Sequence, residues 1–91
     1  MPISMSLAGL GYNFKYYKYK IFAGKAVEKR GIVYEPSAIY ESDKVFSRQV
    51  SIDYNNYVTD YDRYKIQLIL TTSENGIYYY YLYIYPSIDM F

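Results

Sequence analysis

The chain of 91 residues contains no cysteine, no histidine and no tryptophan, and it has only five glycines and three prolines. Without cysteine there is no disulfide framework, no thiolate nucleophile and no zinc site with sulfur ligands. Without histidine, the commonest general base and the commonest transition-metal ligand are both missing. These absences argue against most nucleophilic and metal-dependent catalysts, so we expect a protein that is not an enzyme and needs no cofactor.

Long hydrophobic runs are also missing. The apolar runs are no longer than a β-strand, well short of the roughly 20 residues that a membrane-spanning helix needs. The first ten residues are mildly apolar, but no basic residue precedes them, so they make a poor signal peptide. We therefore expect one β-rich domain over residues 1–91 in the cytoplasm, with residues 1–10 as an arm that packs on the domain or on a neighbour.

Tyrosine, by contrast, is abundant, with 16 copies, six of them within residues 77–85. Its ring buries a large area while its hydroxyl seeks a hydrogen-bond partner, so tyrosine suits both a core and a binding surface. When a strand carries tyrosine on both faces, both faces can make contacts. One face builds the fold, and the other is available for a contact.

Strand signals dominate the chain, and no window shows the sustained 3.6-residue apolar period of a helix. The segments rich in Tyr, Ile, Val and Phe, each bounded by turn residues, are 12–22, 31–35, 38–41, 44–54, 63–72 and 77–85. A short helix over residues 44–50 is an alternative to a strand there. The pattern predicts an all-β or β-dominated fold, a small antiparallel sheet, barrel or sandwich of about five to six strands.

The last two segments predict a hairpin. Even-numbered positions are apolar in residues 63–71, so they mark the core face, and directly opposed partners must share a face. A three-residue loop over residues 74–76, with Gly76 left-handed, satisfies this rule. It pairs Leu70 with Tyr80 and Lys65 with Tyr85. The opposite face then carries a row of four tyrosines: Tyr79, Tyr81, Tyr83 and Tyr85.

This tyrosine row predicts a protein interface, because tyrosine is enriched at interface cores and hot spots. The alternative is that another part of the same chain covers the row. An acidic, tyrosine-rich connection over residues 53–62 is a second docking surface, suited to a basic partner. Self-association as a homodimer is the simplest outcome. The predicted interface residues are Tyr79, Tyr81, Tyr83, Tyr85, Tyr57 and Tyr61.

Lysine and tyrosine alternate over residues 14–20, followed by a basic segment, residues 23–31, that we predict to be a loop. A β-bulge at Tyr16-Tyr17 would restore a continuous apolar face in this strand. Single-stranded nucleic acid is bound by cations on phosphates and by bases stacked on rings. The alternative is an amphipathic strand whose lysines keep an exposed face or edge soluble. The predicted nucleic-acid contacts are Lys15, Tyr17, Lys18, Tyr19, Lys20 and Arg30.

Charge is unevenly spread although the chain is close to neutral. Residues 1–31 hold six bases and one acid, whereas residues 32–91 hold four bases and eight acids. Such a chain can attract an anion with one end, or a second copy of itself. The carboxylates of Asp53, Asp60 and Asp62 could ligate a hard cation, but their spacing does not match a calcium loop. We predict a solvated acidic loop and no metal site.

The Tyr-, Ile- and Lys-rich, cysteine-free composition resembles that of small proteins encoded by viruses of hot-spring archaea. Low contents of cysteine and glutamine are typical of proteins from hot environments. The resemblance implies a viral protein in the host cytoplasm, with a host-directed inhibitor such as an anti-CRISPR protein as a natural member. The first hypothesis is thus a non-enzymatic protein-interaction module, and the alternative is a nucleic-acid-binding β domain. Neither involves a membrane or a small-molecule substrate.

Overall fold

The structure is a computed structural model that describes residues 3–6, 14–52 and 63–84. Its strands are β1 (Ile3–Ser6), β2 (Phe14–Val27), β3 (Gly31–Tyr34), β4 (Tyr40–Glu41), β5 (Gln49–Ile52), β6 (Arg63–Thr72) and β7 (Ile77–Ile84). All pairings are antiparallel, which confirms the predicted fold class. The alternative helix over residues 44–50 does not form. Among the described residues, no helix is long and apolar enough to cross a membrane.

The strands form two sheets. The larger sheet has the order β3-β2-β6-β7, with β4 paired to β2 beside this path, and it curls into a half-barrel. The smaller sheet pairs β1 with β5, from Ile3 opposite Ile52 to Ser6 opposite Gln49. Residues 3–6 of the predicted N-terminal arm thus form a strand on the domain.

The core lies on one face of the larger sheet and is centred on β6. Alternate residues of β6 are almost fully buried: Tyr64, Ile66, Leu68 and Leu70. The other fully buried apolar residues of the same cluster are Tyr17, Ile21 and Ala23 of β2 and Val50 and Ile52 of β5. The prediction that even-numbered positions of β6 face the core is confirmed, and the small sheet supplies the second layer.

Ile66→Ala should lower the free energy of unfolding by about 2–5 kcal/mol, because it empties space in a core that is closed on all sides. Ile69→Ala is the matched control, since Ile69 lies on the same strand but on the opposite, half-buried face. Its effect should be clearly smaller. Urea denaturation of both variants measures the difference, and equal losses would contradict the one-sided core.

Strand β2 continues beyond the predicted segment 12–22 and ends at Val27. Its irregularity lies between Phe14 and Tyr16, so the extra residue is Lys15 and the predicted bulge at Tyr16-Tyr17 is one residue too late. The predicted basic loop over residues 23–31 is also wrong, because β2 continues to Val27 and only residues 28–30 form the turn. Pairing with β3 supplies hydrogen-bond partners that a loop would lack.

The β6–β7 hairpin has the predicted parity but a different register. Leu70 lies opposite Tyr78 and Lys65 opposite Tyr83, a shift of two residues from the predicted pairs. The loop is three residues long, as predicted, but it spans residues 73–75, and Asn75 instead of Gly76 takes the left-handed conformation with φ 65°. The Thr72 hydroxyl accepts a hydrogen bond from the Gly76 N–H at 2.9 Å, which lets the loop close one residue earlier.

Residues 44–48, the first half of a predicted strand, do not form a continuous strand. Strand β5 covers only Gln49–Ile52, and Val45 makes an isolated bridge with Tyr17 through two backbone hydrogen bonds of 2.8 and 2.9 Å. Phe46 is 69% exposed and does not share the buried side with Val50 and Ile52. Phe46 has the same parity as Val50 and Ile52, but the Val45 bridge to β2 sets the path of the chain here.

Candidate binding surface

The side of the larger sheet away from the core, here called the outer face, carries lysine and aromatic side chains on three adjacent strands. Strand register aligns them in rows across β2, β6 and β7. The rows are Tyr16–Thr71–Ile77, Lys18–Ile69–Tyr79, Lys20–Gln67–Tyr81 and Phe22–Lys65–Tyr83. Because neighbouring strands lie about 4.8 Å apart, the Cα atoms of a β2 residue and of the β7 residue in the same row are about 10 Å apart.

The β7 tyrosines of this face are open to solvent. Tyr79, Tyr81 and Tyr83 are each about half exposed, and the Tyr81 hydroxyl accepts a hydrogen bond of 3.1 Å from the Gln67 side-chain amide. They lie two residues apart on one strand, so their Cα atoms are about 7 Å apart. Among the described residues, no segment fully covers these three side chains.

Aromatic rings surround the ammonium group of Lys65. Its Nζ lies 5.0 Å from the centroids of the Phe22 and Tyr34 rings and 5.9 Å from that of Tyr81. Each contact has cation–π geometry. The Tyr34 ring also contacts the Tyr83 ring, with centroids 6.0 Å apart. A lysine and four rings thus form one continuous cluster at this end of the outer face.

Gly24 makes room for this cluster. A Cβ atom at Gly24 would lie only 2.7 Å from the Cδ1 atom of Tyr34, closer than any real contact. The missing side chain lets the Tyr34 ring lie across β2 and reach Lys65. Gly24 therefore allows an aromatic ring to approach the backbone closely, and it does not mark a turn.

A second aromatic-basic group lies at the other end of the outer face. The Tyr16 ring packs 5.8 Å from the ring of Phe46, and the Lys44 ammonium lies 4.7 Å from the Tyr16 centroid. A side-chain hydrogen bond with Thr71 lowers the pKa of the Tyr16 hydroxyl below its usual value. Three nearby positive charges lower this pKa further: Lys44, Lys15 and Lys18.

The outer face is positively charged. Its lysines are Lys18, Lys20 and Lys65, with Lys15 and Lys44 near the Tyr16 end. Glu41 forms an ion pair with Lys20 at 3.1 Å, and both side chains are at least a third exposed, so this pair contributes little stability.

The structure brings some predicted site residues together and separates others. Lys18 and Lys20 lie on the outer face beside the tyrosine row, and Lys15 is exposed at the bulge. Tyr17 is only 2% exposed in the core, so its prediction as a nucleic-acid contact is wrong. Tyr19 also faces the core side, where its ring contacts Tyr17 and Tyr40.

Arg30 is exposed in the β2–β3 turn, beyond the end of β2 at Val27. Since Lys20 is seven residues before that end, Arg30 lies roughly 20 Å or more from Lys18 and Lys20. Tyr57, Tyr61 and Tyr85 of the predicted interface, and the acidic connection over residues 53–62, lie outside the described residues.

Sequence patterns missed several members of the outer face: Phe22, Tyr34, Phe46 and Lys44. The hairpin prediction already placed Lys65 on the face of the tyrosine row, and Phe22 could have been assigned from alternation because it has the parity of the outer face in β2. Tyr34 could not, since its approach depends on Gly24 in another strand. Phe46 and Lys44 reach the face through a loop whose path is set by the Val45 bridge.

Comparison with family models, curated protein sequences and solved structures finds no match for this chain. Within the described segments, no group of three or more acidic side chains is placed to hold a metal ion.

The Tyr16 hydroxyl should lose its proton at lower pH than an ordinary tyrosine, because a hydrogen bond and three lysines favour its anion. Thr71→Val keeps the side-chain shape but removes the hydrogen bond, so it should raise the Tyr16 pKa. NMR titration of 13C-labelled tyrosine rings measures both values, with Tyr16→Phe to assign the signal. An unchanged pKa in the Thr71→Val protein would contradict this account.

Proposed function

We propose that this chain is a non-enzymatic binding protein whose outer face holds single-stranded nucleic acid. The observation that carries the proposal is that the β2 lysines and the β7 tyrosines, which no sequence pattern connects, lie on the same face. Single strands are held by a positive surface that follows the backbone and by rings that stack on the bases. The outer face supplies both within about 10 Å, the span of two strand spacings.

The geometry suggests how such a strand would lie. Along β6, phosphates would contact Lys18 and Lys20 on one side, and bases would stack on Tyr79 and Tyr81 on the other. Rings about 7 Å apart are separated by twice the rise of about 3.4 Å between stacked bases. The strand would therefore be extended, with its bases unstacked. The amide of Gln67, between the two columns, can hydrogen-bond to base edges.

Charge favours an anionic ligand over a second copy on this face. A homodimer through this face would bring two lysine-bearing surfaces together, and bringing like charges together is unfavourable. Overall charge is only +1, so binding would depend on the local face. With two or three lysines on phosphates, log affinity should fall with log salt with a slope of about −2.

Tyr79→Ala should weaken binding of a fluorescein-labelled oligothymidylate by roughly 5- to 150-fold, because one base–ring stack contributes about 1–3 kcal/mol. Tyr78→Ala is the matched control, since both tyrosines are 54% exposed but Tyr78 lies on the opposite face of β7. Fluorescence polarisation at low salt measures both affinities. Equal losses, or no binding by the unmodified protein, would contradict the proposal.

The lysine side has its own test. Lys18→Gln with Lys20→Gln should make the salt slope shallower by about 1.4, because two phosphate contacts are lost. Lys25→Gln with Lys29→Gln removes the same charge from the β2–β3 hairpin, away from the outer face, and should leave the slope nearly unchanged. Equal effects in both double variants would mean that net charge, not this face, governs binding.

A protein partner on the outer face is the second candidate, favoured by three exposed tyrosines in line beside Ile69. Exposed aromatic patches of this kind are typical of interaction sites. A viral, host-directed inhibitor is one version of this candidate and stays a prediction from composition. Absence of oligonucleotide binding at low salt would make the protein partner the stronger proposal.

A further inference from the structure

The two edges of the larger sheet differ in how they are protected. At one edge, β3 has four residues. At the other, β7 has eight residues, and none of them is charged, a proline or a glycine. In the part of the chain that the structure describes, no strand pairs with the second edge of β7. Proteins usually protect an open edge with charge, proline or shortness, and β7 has none of these devices.

Backbone groups at this edge alternate in direction. The Thr72 N–H donates to the Gly76 carbonyl at 2.9 Å, which marks the hydrogen-bonded pair that closes the hairpin. Such pairs recur at every second residue of an antiparallel ladder. Even-numbered residues of β7 therefore bond to β6. The N–H and C=O groups of the odd-numbered residues point to the open edge: Ile77, Tyr79, Tyr81 and Tyr83.

Side chains on both faces of β7 are exposed as well. On the core side, the small sheet does not cover Tyr78 and Tyr80, which are 54% and 40% exposed. On the outer face, Tyr79 and Tyr81 are exposed to a similar extent. A strand added at this edge would thus gain main-chain hydrogen bonds and bury aromatic surface on both sides.

We propose that a second copy of this chain fills the edge, with the two β7 strands paired antiparallel about a two-fold axis at Tyr80 or Tyr81. An uncharged strand meets its own copy without repulsion, and opposed tyrosines form favourable cross-strand pairs. Either axis position pairs residues of equal parity, so both outer faces lie on the same side. The dimer would present one continuous outer face, and its formation does not depend on what that face binds.

Tyr80 provides a charge-reversal test, because it lies on the core side of β7 and is not part of the outer face. Tyr80→Lys and Tyr80→Glu each place like charges next to the axis, so each protein alone should be a monomer. Mixed in equal amounts, the two should form a dimer. Sedimentation velocity measures the masses, with far-UV circular dichroism to show that both variants are folded.

Amide hydrogen exchange tests the unmodified protein. In the dimer, the amides of Tyr79, Tyr81 and Tyr83 should be protected at high protein concentration and should lose protection on dilution. The amides of Tyr78, Tyr80 and Leu82 bond within the hairpin and should not change. This alternating, concentration-dependent pattern would not arise if the dimer formed through another surface.

Three results would overturn the proposal. The first is an unmodified protein that stays monomeric from micromolar to millimolar concentration, which would leave the edge for a strand of a different protein. The second is a Tyr80→Lys protein that is folded and still dimeric. The third is fast, concentration-independent exchange at Tyr79, Tyr81 and Tyr83. Oligonucleotide binding by a folded, monomeric Tyr80→Lys protein would show that the two proposals are separate.

Discussion

Burial of alternate side chains along β6 is the constraint on which the rest of the structure depends. This strand is paired on both edges, and its even-numbered side chains are removed from water by β2 neighbours and by the small β1–β5 sheet. Because the side chains of a strand alternate between its two faces, burial of the even-numbered residues places Lys65, Gln67 and Ile69 on the other face. The neighbouring strands follow the parity of β6, so the outer face is a direct consequence of the core.

The outer face combines properties that are usually kept apart. Exposed aromatic rings favour association with other molecules, whereas lysines keep a surface soluble. On the outer face, lysine ammonium groups lie within cation–π distance of aromatic rings. Lys65 lies among three rings and Lys44 lies over Tyr16, so part of the aromatic surface is covered by charged side chains whose heads stay near water. Strand β7 lacks this protection along its open edge. The lysine-rich rows and the uncharged edge are therefore different kinds of surface, suited to different partners.

Local patterns predicted the strands well where alternation was clean. The core face of β6, the hairpin parity and the need for a bulge in β2 all follow from period-two patterning. The hairpin register does not, because the Thr72 hydroxyl and the tolerance of Asn75 for a left-handed conformation decide where the loop closes. The extension of β2 to Val27 depends on backbone pairing with β3. The two halves of the candidate surface were each visible in the sequence, but their shared face requires the strand order β2-β6-β7, which no local pattern contains.

The pairing of β2 with β6 has a kinetic consequence. Paired residues in this ladder are 39 to 58 positions apart in the chain, from Gly24 opposite Arg63 to Phe14 opposite Thr72. The β6–β7 hairpin, by contrast, closes over three residues. Closing the longer loop costs more chain entropy before any core contact forms, and sheets built on such distant pairs fold slowly. We expect the β6–β7 hairpin to form first and to present the free edge of β6 for pairing. Pairing of β2 with this edge would then be the rate-limiting step of folding. The core and both faces of the sheet form only after that step.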